Sequence, residues 1–490
     1  MMKFLLASFV NFLLLTGFAY PAENFAPMFP EDGCWGVVVH KPDHIGYGTI
    51  IDMCKEIGAQ WVRTNIRWCN IEKGKRGRYD WSAADDVILP YLKANTRIIC
   101  VLTVENLCPL YKGADKSVMI DAIARWMGKV AERYKGKGIV WEISNEPEVF
   151  TMGGYWNNPL TYTRMARKSA AAIKEADSDA KVAALSVAWM DKSFILKSFQ
   201  AGLLDDGTID IITFHGYHRR TIMPESGLAQ DVSWLRRMIR RYNKKRHHII
   251  VIDSERGYAM EKFLSPKDWT VWRNIVYTRE EQAAYLARHY LTEISLGMEM
   301  SVWYKLGWGE SAFSLFEGGK DTLISMGYVY KNLSALLPEN PKLIFNKRYP
   351  VALVDLPDKI SDPNTFLRMK SYLKSYLKQG ENREVLVIAI WNPVEAFAGR
   401  ILESRKRIGN KYYEAWRAIS PSDRVEIPVK ISVGNMGGRK IAKCYLYNLL
   451  AKTQKELTKP LPIELKDGVA ITDIFAVGPM PKVIVLELQQ

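Results

Sequence analysis

Two glutamates that follow apolar runs are the strongest candidates for chemistry in this sequence. The run 139–143 leads to Asn145, Glu146 and Pro147, and the run 249–252 leads to Glu255. Proline ends strand pairing, so Glu146 should lie at the carboxyl end of a buried strand. In parallel α/β folds, ligands and catalytic groups collect at that end. A pair of carboxyl groups across one pocket could do acid–base or nucleophilic work.

The elements that must position these glutamates alternate along the first two thirds of the chain. Eight strand-like runs are predicted, at 35–39, 61–66, 97–104, 139–143, 181–185, 209–214, 248–253 and 299–304. Helical patterns lie between them, for example at 50–57, 119–134, 160–176 and 280–296. This alternation predicts an α/β fold of the (β/α)₈ TIM barrel type. A doubly wound sheet is the alternative, but no Gly-x-Gly-x-x-Gly turn follows a strand.

The pattern changes after Leu336, Leu337 and Pro338, and helical signals become rare. Strand-like runs punctuated by Gly and Pro follow at 366–372, 385–391, 425–433, 440–447, 469–474 and 483–488. Such runs are typical of a β-sandwich. We therefore predict a signal peptide at 1–19, a catalytic barrel at 20–340 and a smaller β-sandwich accessory domain at 341–490.

The first residues resemble a secretory leader. Lys3 precedes an apolar run at 4–18, and Gly17 and Ala19 are small enough for a cleavage site. The run is short for a membrane span, and no later stretch is long and apolar enough. We expect a secreted or periplasmic protein without stable membrane insertion; an uncleaved anchor is the alternative.

The chain is basic, with a formal net charge of +15 over 490 residues. Such a charge could favour an acidic polysaccharide, a membrane surface or nucleic acid. The densest basic cluster, at 236–246, has apolar residues at helical spacing, so it indicates the solvated face of an amphipathic helix. Aromatic residues do not interleave with it as they do in single-strand binders. We expect no nucleic-acid partner.

Cysteine and histidine usage argues against a metal centre. Five of the six cysteines fall in the first quarter: Cys34, Cys54, Cys69, Cys100 and Cys108. In an oxidising compartment one or two bridges could form among them, for example between Cys69 and Cys108. No Cys-x-x-Cys or His-Glu-x-x-His spacing is present, and the seven histidines are scattered. We expect no metal and no cofactor.

With these motifs in place, the chain resembles the clan A glycoside hydrolases, the retaining (β/α)₈ glycosidases that include families five and thirty-nine. Their fourth strand ends in Asn-Glu, usually before Pro, which matches Asn145 and Glu146. Their seventh strand ends in the nucleophile, which matches Glu255. An aromatic residue usually follows that glutamate, and this chain has Arg256 instead.

Further matches fall on the expected strands. The family's arginine on strand two matches Arg63, and the His-x-Tyr of strand six matches His215 and Tyr217. The aromatic residue of strand eight matches Trp303. The resemblance implies that Arg63 and Tyr217 hold the nucleophile and that Asn145 binds the sugar 2-hydroxyl. It also implies that His215 binds substrate and that Trp303 forms a platform under the sugar ring.

The function that this resemblance implies is that of a secreted retaining glycosidase. Glu146 would be the acid and then the base, and Glu255 would be the nucleophile in a double displacement at a β-glycosidic bond. The partner would be an oligosaccharide or polysaccharide. A non-catalytic carbohydrate-binding barrel and a transglycosylase are the alternatives. A serine esterase is disfavoured because no Gly-x-Ser-x-Gly turn occurs.

Other polar and aromatic residues near the strand ends compete for these roles. Glu142 lies nearer the middle of the barrel, and Glu310 is the reserve nucleophile if Glu255 fails. The remaining candidates for the cleft and its walls are Glu105, Asn106, Glu148, Tyr155, Trp156, Trp189 and Glu317.

Overall fold

The computed structural model describes residues 33–489, apart from 41–44, 105–107, 150–155, 218–222, 226, 261–274, 277, 308–311, 318–321, 338–341, 344–348, 355–366, 379–380, 394–395, 398–399, 409–410 and 419–425. The predicted leader at 1–19 lies outside the described residues. So do four candidate residues near the strand ends, Glu105, Asn106, Tyr155 and Glu310.

Eight parallel strands close into a barrel, which confirms the predicted fold class. Each strand pairs with its neighbour in sequence, and the first pairs with the eighth. In chain order the barrel strands are Trp35–Val38, Trp61–Arg67, Arg97–Thr103, Val140–Ile143, Lys181–Val187, Ile211–His215, Ile250–Arg256 and Met300–Trp303. Their runs of apolar residues fit strands that are buried on both faces.

Helices cover the outside of the barrel. The described α-helices are Tyr47–Glu56, Trp68–Ile71, Ser82–Lys93, Lys116–Arg133, Pro159–Ala176, Lys192–Gln200, Leu228–Tyr242, Arg279–Ser295 and Ser325–Leu336. Short 3₁₀ turns lie at Pro109–Tyr111, Ala188–Met190 and Gln454–Glu456. None of the described helices combines the length and the apolar composition that crossing a bilayer requires. The basic segment at 236–246 lies largely on helix Leu228–Tyr242, as the sequence predicts.

The C-terminal part consists of antiparallel sheets, as the sequence predicts. One sheet has the order Lys342–Leu343, Arg368–Lys378, Glu381–Trp391, Lys482–Gln489, Lys440–Tyr447 and Thr458–Pro460. A second has the order Val351–Val354, Ile427–Val433, Val469–Thr472 and Ile463–Lys466, with Phe475–Val477 also paired to Ile427–Val433. Facing apolar side chains such as Ile388, Ile431 and Leu486 form a core between them.

Two smaller sheets, one of three strands and one of two, complete the described structure. Ala396–Phe397, Arg400–Ile408 and Lys411–Ala418 form a three-stranded sheet. Ala259–Met260 pairs in parallel with Ile275–Val276 after the seventh barrel strand.

The sandwich packs against the barrel through the other face of its first sheet. Val387, Trp391 and Val485 belong to the same buried cluster as the barrel core. Helix Arg279–Ser295 lies at this contact and is buried on nearly all sides. Its Arg288 is fully buried and pairs with Glu225, whose carboxylate also accepts a hydrogen bond from the Trp391 indole. The two domains therefore share a polar contact as well as an apolar core.

The expected disulfide between Cys69 and Cys108 is absent, because all six cysteines are free thiols. The Cys108 thiol instead donates to the Glu72 carbonyl, at 3.4 Å. Burial raises the pKa of Cys34 and Cys54 to about 12. These thiols are therefore apolar core residues and not reactive groups.

The side chain of Asn332 joins the last barrel helix to the sandwich, so replacing it measures how much this contact contributes to the stability of the protein. Its amide donates to the carbonyls of Leu449 and Ala451, both at 2.9 Å. Asn332→Ala leaves two buried carbonyls unpaired, so we expect a loss of about 2 kcal/mol or more in the free energy of unfolding. Thermal and denaturant melts measure this loss. The adjacent Lys331→Ala removes only an exposed ion pair and is the matched control; an equal effect of both substitutions would contradict the assignment.

Candidate active site

Arg63, on the second barrel strand, connects the side chains at the carboxyl end of the barrel. It is 3 % exposed. Its guanidinium donates from Nε to Glu142 Oε2 at 2.7 Å and from Nη1 to Glu255 Oε2 at 2.8 Å. Nη2 donates to Asn145 Oδ1 at 2.7 Å and lies 3.2 Å from Ser186 Oγ. One planar cation thus fixes four groups that lie on or directly after three other strands.

Glu255 lies on the seventh strand and has a donor on each carboxylate oxygen. Arg63 bonds Oε2, and the Tyr217 hydroxyl donates to Oε1 at 3.1 Å. Burial first, and then the charge of Glu255, raise the pKa of Tyr217 well above its ordinary value. The phenol therefore stays protonated and keeps donating to Glu255. Both contacts stabilise a negative charge on this carboxylate.

Glu146 follows the fourth strand and contacts His215 at the end of the sixth. His215 Nδ1 lies 2.7 Å from Glu146 Oε1. The other ring nitrogen, Nε2, faces Arg63 Nη2 at 3.3 Å and Ser186 Oγ at 3.0 Å. An arginine can only donate, so Nε2 accepts and the proton on Nδ1 points to Glu146. Burial lowers the pKa of His215, but the charges of Glu255 and Glu146 and the hydrogen bond to Glu146 outweigh burial and raise this pKa above its ordinary value.

The two candidate glutamates lie close to each other across the barrel mouth. A carboxylate oxygen of Glu146, a ring nitrogen of His215 and a carboxylate oxygen of Glu255 all lie within 4.8 Å of one another. The Glu146 side chain is 13 % exposed and that of Glu255 is 11 % exposed. Both carboxylates are therefore enclosed and yet reachable from solvent.

Backbone strain concentrates at the ends of the fourth and fifth strands. Ser144 and Glu146 have φ values of 66° and 40°, and Leu185 and Ser186 have values of 84° and 49°. Positive φ in a residue with a side chain is costly, and it persists only where the surroundings enforce it. The Glu146 amide donates to the Ser186 carbonyl at 3.0 Å, which holds the two strained segments together. This strain turns Glu146 into the pocket.

The competing acidic residues have other positions. Glu142 is fully buried below the pocket. Burial raises the pKa of its carboxyl group, but the charges of Arg63 and His215 outweigh burial and lower it, so Glu142 stays charged as the partner of Arg63. Glu148 is half-buried and accepts from the Ala188 amide; burial first, and then Glu146, raise its pKa to about 8. Glu317 is exposed. Glu142 therefore lies too deep in the barrel to touch a bound sugar.

The structure brings together six of the seven residues expected from the sequence: Arg63, Asn145, Glu146, His215, Tyr217 and Glu255. It does not bring Trp303 to them. The Trp303 ring is fully buried behind the barrel wall, where it packs against Tyr258, His289 and Tyr290. A ring without exposed surface has no face to offer a sugar.

Tyr304, the next residue, faces the pocket in its place. Its side chain packs at the inner cluster of the barrel, and burial first, and then the charges of Glu255 and Glu146, raise its pKa. Val302 and Tyr304 pack in one inner cluster, and Trp303 points to the other side of the strand. Side chains alternate along this strand, so alternation indicates Tyr304, and not Trp303, for the pocket.

Two aromatic residues considered as pocket walls differ in exposure. Trp156 is 2 % exposed and its indole lies against the Val104 carbonyl at 3.4 Å, so it supports the wall from behind. Trp189 follows the fifth strand, is partly exposed and has a φ of 51°. Trp189 is therefore the better placed of the two to contact a ligand.

A second polar cluster lies behind the seventh strand and is fully buried. Asp253 Oδ1 accepts from the Gly216 amide at 3.0 Å, and His289 Nε2 lies 3.1 Å from Glu293 Oε2. Burial raises the pKa of Glu293 to about 7, and burial together with the charge of Glu293 raises that of Asp253 well above its ordinary value. Burial lowers the pKa of His289 to about 3. Arg256 supplies the positive charge in this cluster.

Both clusters contain donor types that can bind a metal ion. Asp253, His289 and Glu293 have ligand atoms within 4.8 Å of one another, as do Glu146, His215 and Glu255. In the cluster of Asp253 and Glu293 the charge of Arg256 opposes the rise in the pKa of the acids, and in the cluster of Glu255 Arg63 donates directly to that carboxylate. A guanidinium therefore already supplies the positive charge that a divalent cation would bring.

Comparisons with solved structures show that this fold is known. A family 39 glycoside hydrolase from the gut symbiont Bacteroides cellulosilyticus WH2 superposes with a TM-score of 0.60 at 15% identity, covering 92% of this chain and 80% of that chain. A glucosidase from Croceicoccus marinus superposes with a TM-score of 0.54 at 13% identity, covering 95% of this chain and 97% of that chain. A monomeric β-xylosidase from Caulobacter crescentus CB15 superposes with a TM-score of 0.51 at 13% identity, covering 94% of this chain and 96% of that chain. No protein-family model and no curated protein sequence matches the chain.

Arg63 and Glu142 form a buried pair whose energetics can be measured. Arg63→Met leaves the fully buried Glu142 without its cation, so we expect a loss of about 3–5 kcal/mol in unfolding free energy. Adding Glu142→Gln removes the uncompensated charge and should restore at least about 1 kcal/mol. Denaturant melts of the single and double variants give the coupling. A double variant no more stable than Arg63→Met would show that Glu142 is not the main partner.

Glu293 should make stability depend on pH in a defined direction. A carboxyl group whose pKa is about 7 in the folded state holds its proton more tightly than in the unfolded chain. Its stabilising contribution is therefore complete below about pH 4.5 and is lost as pH rises through 7, at about 1 kcal/mol per pH unit. Glu293→Gln mimics the protonated form and should flatten this fall.

Thermal melts between pH 5 and 8 measure the effect. The melting temperature of Glu293→Gln relative to the wild type should rise with pH across this range. Glu175→Gln, on the exposed face of helix Pro159–Ala176, is the control and should follow the wild type. A difference between Glu293→Gln and the wild type that does not vary with pH would rule out this titration.

Proposed function

We propose that the protein is a retaining glycoside hydrolase that cleaves β-glycosidic bonds by double displacement. One observation carries the proposal: carboxylate oxygens of Glu146 and Glu255 lie within 4.8 Å of one another in a pocket at the carboxyl end of the barrel. In retaining glycosidases the two carboxyl groups are about 5–5.5 Å apart, whereas inverting enzymes leave room for a water molecule at about 6.5–9.5 Å. The short separation favours direct attack by one carboxylate.

The contacts assign different roles to the two glutamates. Glu255 accepts from Arg63 and Tyr217, which stabilise its negative charge, so it is the nucleophile. Within the described part of the chain the Glu146 side chain bonds to His215, and its other carboxyl oxygen can hold a proton for the leaving group. Glu146 is therefore the acid and then the base.

In the first step Glu255 attacks the anomeric carbon, and the bond from that carbon to the leaving oxygen breaks. Glu146 transfers its proton to that oxygen, which departs as an alcohol and leaves a glycosyl ester on Glu255. In the second step Glu146 takes a proton from water while the water oxygen attacks the anomeric carbon. The ester bond breaks, Glu255 regains its charge, and the sugar leaves with its original anomeric configuration.

The remaining residues position the sugar and the glutamates. Asn145 is held by Arg63 at the pocket floor, where its amide can bind the sugar 2-hydroxyl. His215 orients Glu146, and the partly exposed Tyr304 offers aromatic carbon to the sugar ring. The structural neighbours include a β-xylosidase and a glucosidase, which supports a glycoside substrate.

The proposal also includes export of the protein from the cytoplasm. Lys3, the apolar run at 4–18 and the small residues Gly17 and Ala19 support a leader that is cleaved after residue 19. The protein would then act outside the cytoplasm on an oligosaccharide or polysaccharide. Amino-terminal sequencing of the exported protein identifies the cleavage site.

Azide rescue of two variants tests the mechanism. With activated aryl β-glycosides, Glu146→Ala should form the glycosyl-enzyme but hydrolyse it at least about 100-fold more slowly, because the base is missing. Azide should restore turnover and give a product of retained configuration. Glu255→Ala should lower the rate of hydrolysis more than about 1,000-fold, and added azide should give the glycosyl azide of inverted configuration.

Glu175→Ala, which removes an exposed carboxylate on a surface helix, is the matched control and should keep wild-type rates. Proton NMR of the first-formed product reports the anomeric configuration. Inversion by the wild type would refute double displacement. Full activity of Glu255→Ala would refute the assigned nucleophile. Binding of glycans without turnover by the wild type would favour a carbohydrate-binding protein.

A further inference from the structure

Three basic side chains, of which the lysine and the arginine are cationic at neutral pH, lie at the pocket mouth next to the first, second and eighth barrel strands. His40 follows the first strand, Arg67 ends the second, and Lys305 follows the eighth. None of the three forms an ion pair with another residue in the described part of the chain. They are also not needed to neutralise Glu255, since Arg63 already donates to that carboxylate.

Tyr304 fixes where these cations lie relative to the reacting groups. The His40 ring packs against the Tyr304 ring at 5.6 Å between centroids, and Lys305 Nζ lies 5.7 Å from the Tyr304 centroid. The charges of Glu255 and Glu146 act on the same tyrosine. A sugar placed on Tyr304 with its anomeric carbon at Glu255 would therefore have the cations within reach of its outer edge.

Arg67 belongs to the same side of the pocket by strand geometry. Every second side chain on a strand points to the same side, so Arg67, four residues after Arg63, shares its orientation and lies two pleat repeats further along the strand. Burial, followed by the charges of Lys305, Arg63 and Arg67, lowers the pKa of His40 to about 4. His40 is therefore a neutral hydrogen-bond donor between two cations at neutral pH.

Lys305 is the most informative of the three. It is half-buried, and burial lowers its pKa. Enclosing an ammonium group is unfavourable unless an anion or other acceptors compensate it. Arg67, by contrast, is exposed and can remain hydrated. A partly enclosed lysine beside a sugar site is suited to a charge that arrives with the ligand.

We propose that Lys305, Arg67 and His40 bind a negatively charged substituent, a carboxylate or a sulfate ester, on the sugar in the pocket. The substrate class is then an anionic glycan, such as one that contains uronic acid or sulfated sugar. This inference rests on the proposed glycosidase function for its kinetic consequences, but the anion contacts themselves do not require turnover.

Matched substrates that differ only in charge test the proposal. We would compare kcat/KM for 4-nitrophenyl β-D-glucuronide, the corresponding glucoside 6-sulfate and the uncharged glucoside, with galacto-configured counterparts. The anionic member should be preferred at least tenfold, and the carboxylate and sulfate arms identify which anion fits. Lys305→Met keeps the length of the side chain and should lower the ratio of anionic to uncharged kcat/KM at least tenfold. Lys305→Arg should restore part of it.

Lys197→Met, an exposed lysine on helix Lys192–Gln200, is the control and should leave that ratio unchanged. Equal turnover of charged and uncharged members by the wild type would overturn the proposal, as would a ratio insensitive to Lys305→Met.

Binding separates this inference from the proposed hydrolysis. Calorimetry with a β-linked glucuronate oligosaccharide and its carboxyl-reduced form requires no turnover. Tighter binding of the anionic form that is lost in Lys305→Met would support the anion site even if nothing is hydrolysed. Hydrolysis of uncharged glycosides only, with no preference for the anionic oligosaccharide, would keep the glycosidase and refute the anion site.

Discussion

The buried guanidinium of Arg63 is the interaction on which the rest of the site depends. Glu142 and Glu255 come from different strands, and both carboxylates are largely shielded from water. Without a cation between them, their burial and mutual repulsion would cost several kcal/mol. The planar donors of arginine satisfy both acids and still reach Asn145. The same contacts that balance charge in the barrel therefore set the positions of the reacting groups.

Much of the barrel could be predicted from sequence because its strands are continuous apolar runs between helical patterns. The expected strands overlap all eight observed ones. Arg63 lies within the second strand, Glu146 follows the fourth, and Glu255 lies near the end of the seventh. What could not be predicted depends on register. The seventh strand continues to Arg256, beyond the apolar run, and between Asp253 and Arg256 it contains one residue more than the eighth strand that pairs with it. A period of two cannot reveal a bulge.

Contacts between distant parts of the chain were also beyond sequence reasoning. Helix Arg279–Ser295 has a helical pattern, but its burial on nearly all sides follows from the sandwich that packs over it. The carboxylate of Glu225 joins Arg288 to Trp391, and no local pattern indicates this. The expected Cys69–Cys108 bridge failed for a related reason. Nothing in the sequence singled out this pair among the five cysteines, and the fold gave Cys108 a backbone acceptor at Glu72.

Arg256 shows how a departure from the family pattern can be accommodated. Its side chain lies with Asp253, His289 and Glu293 behind the strand that carries Glu255. Asp253 accepts from the Gly216 amide, and a side chain at Gly216 would collide with that carboxylate, since its Cβ would lie 2.1 Å from Asp253 Oδ2. Gly216 separates His215 from Tyr217, which contact Glu146 and Glu255. The rear cluster thus holds the backbone between the two residues that orient the reacting carboxylates.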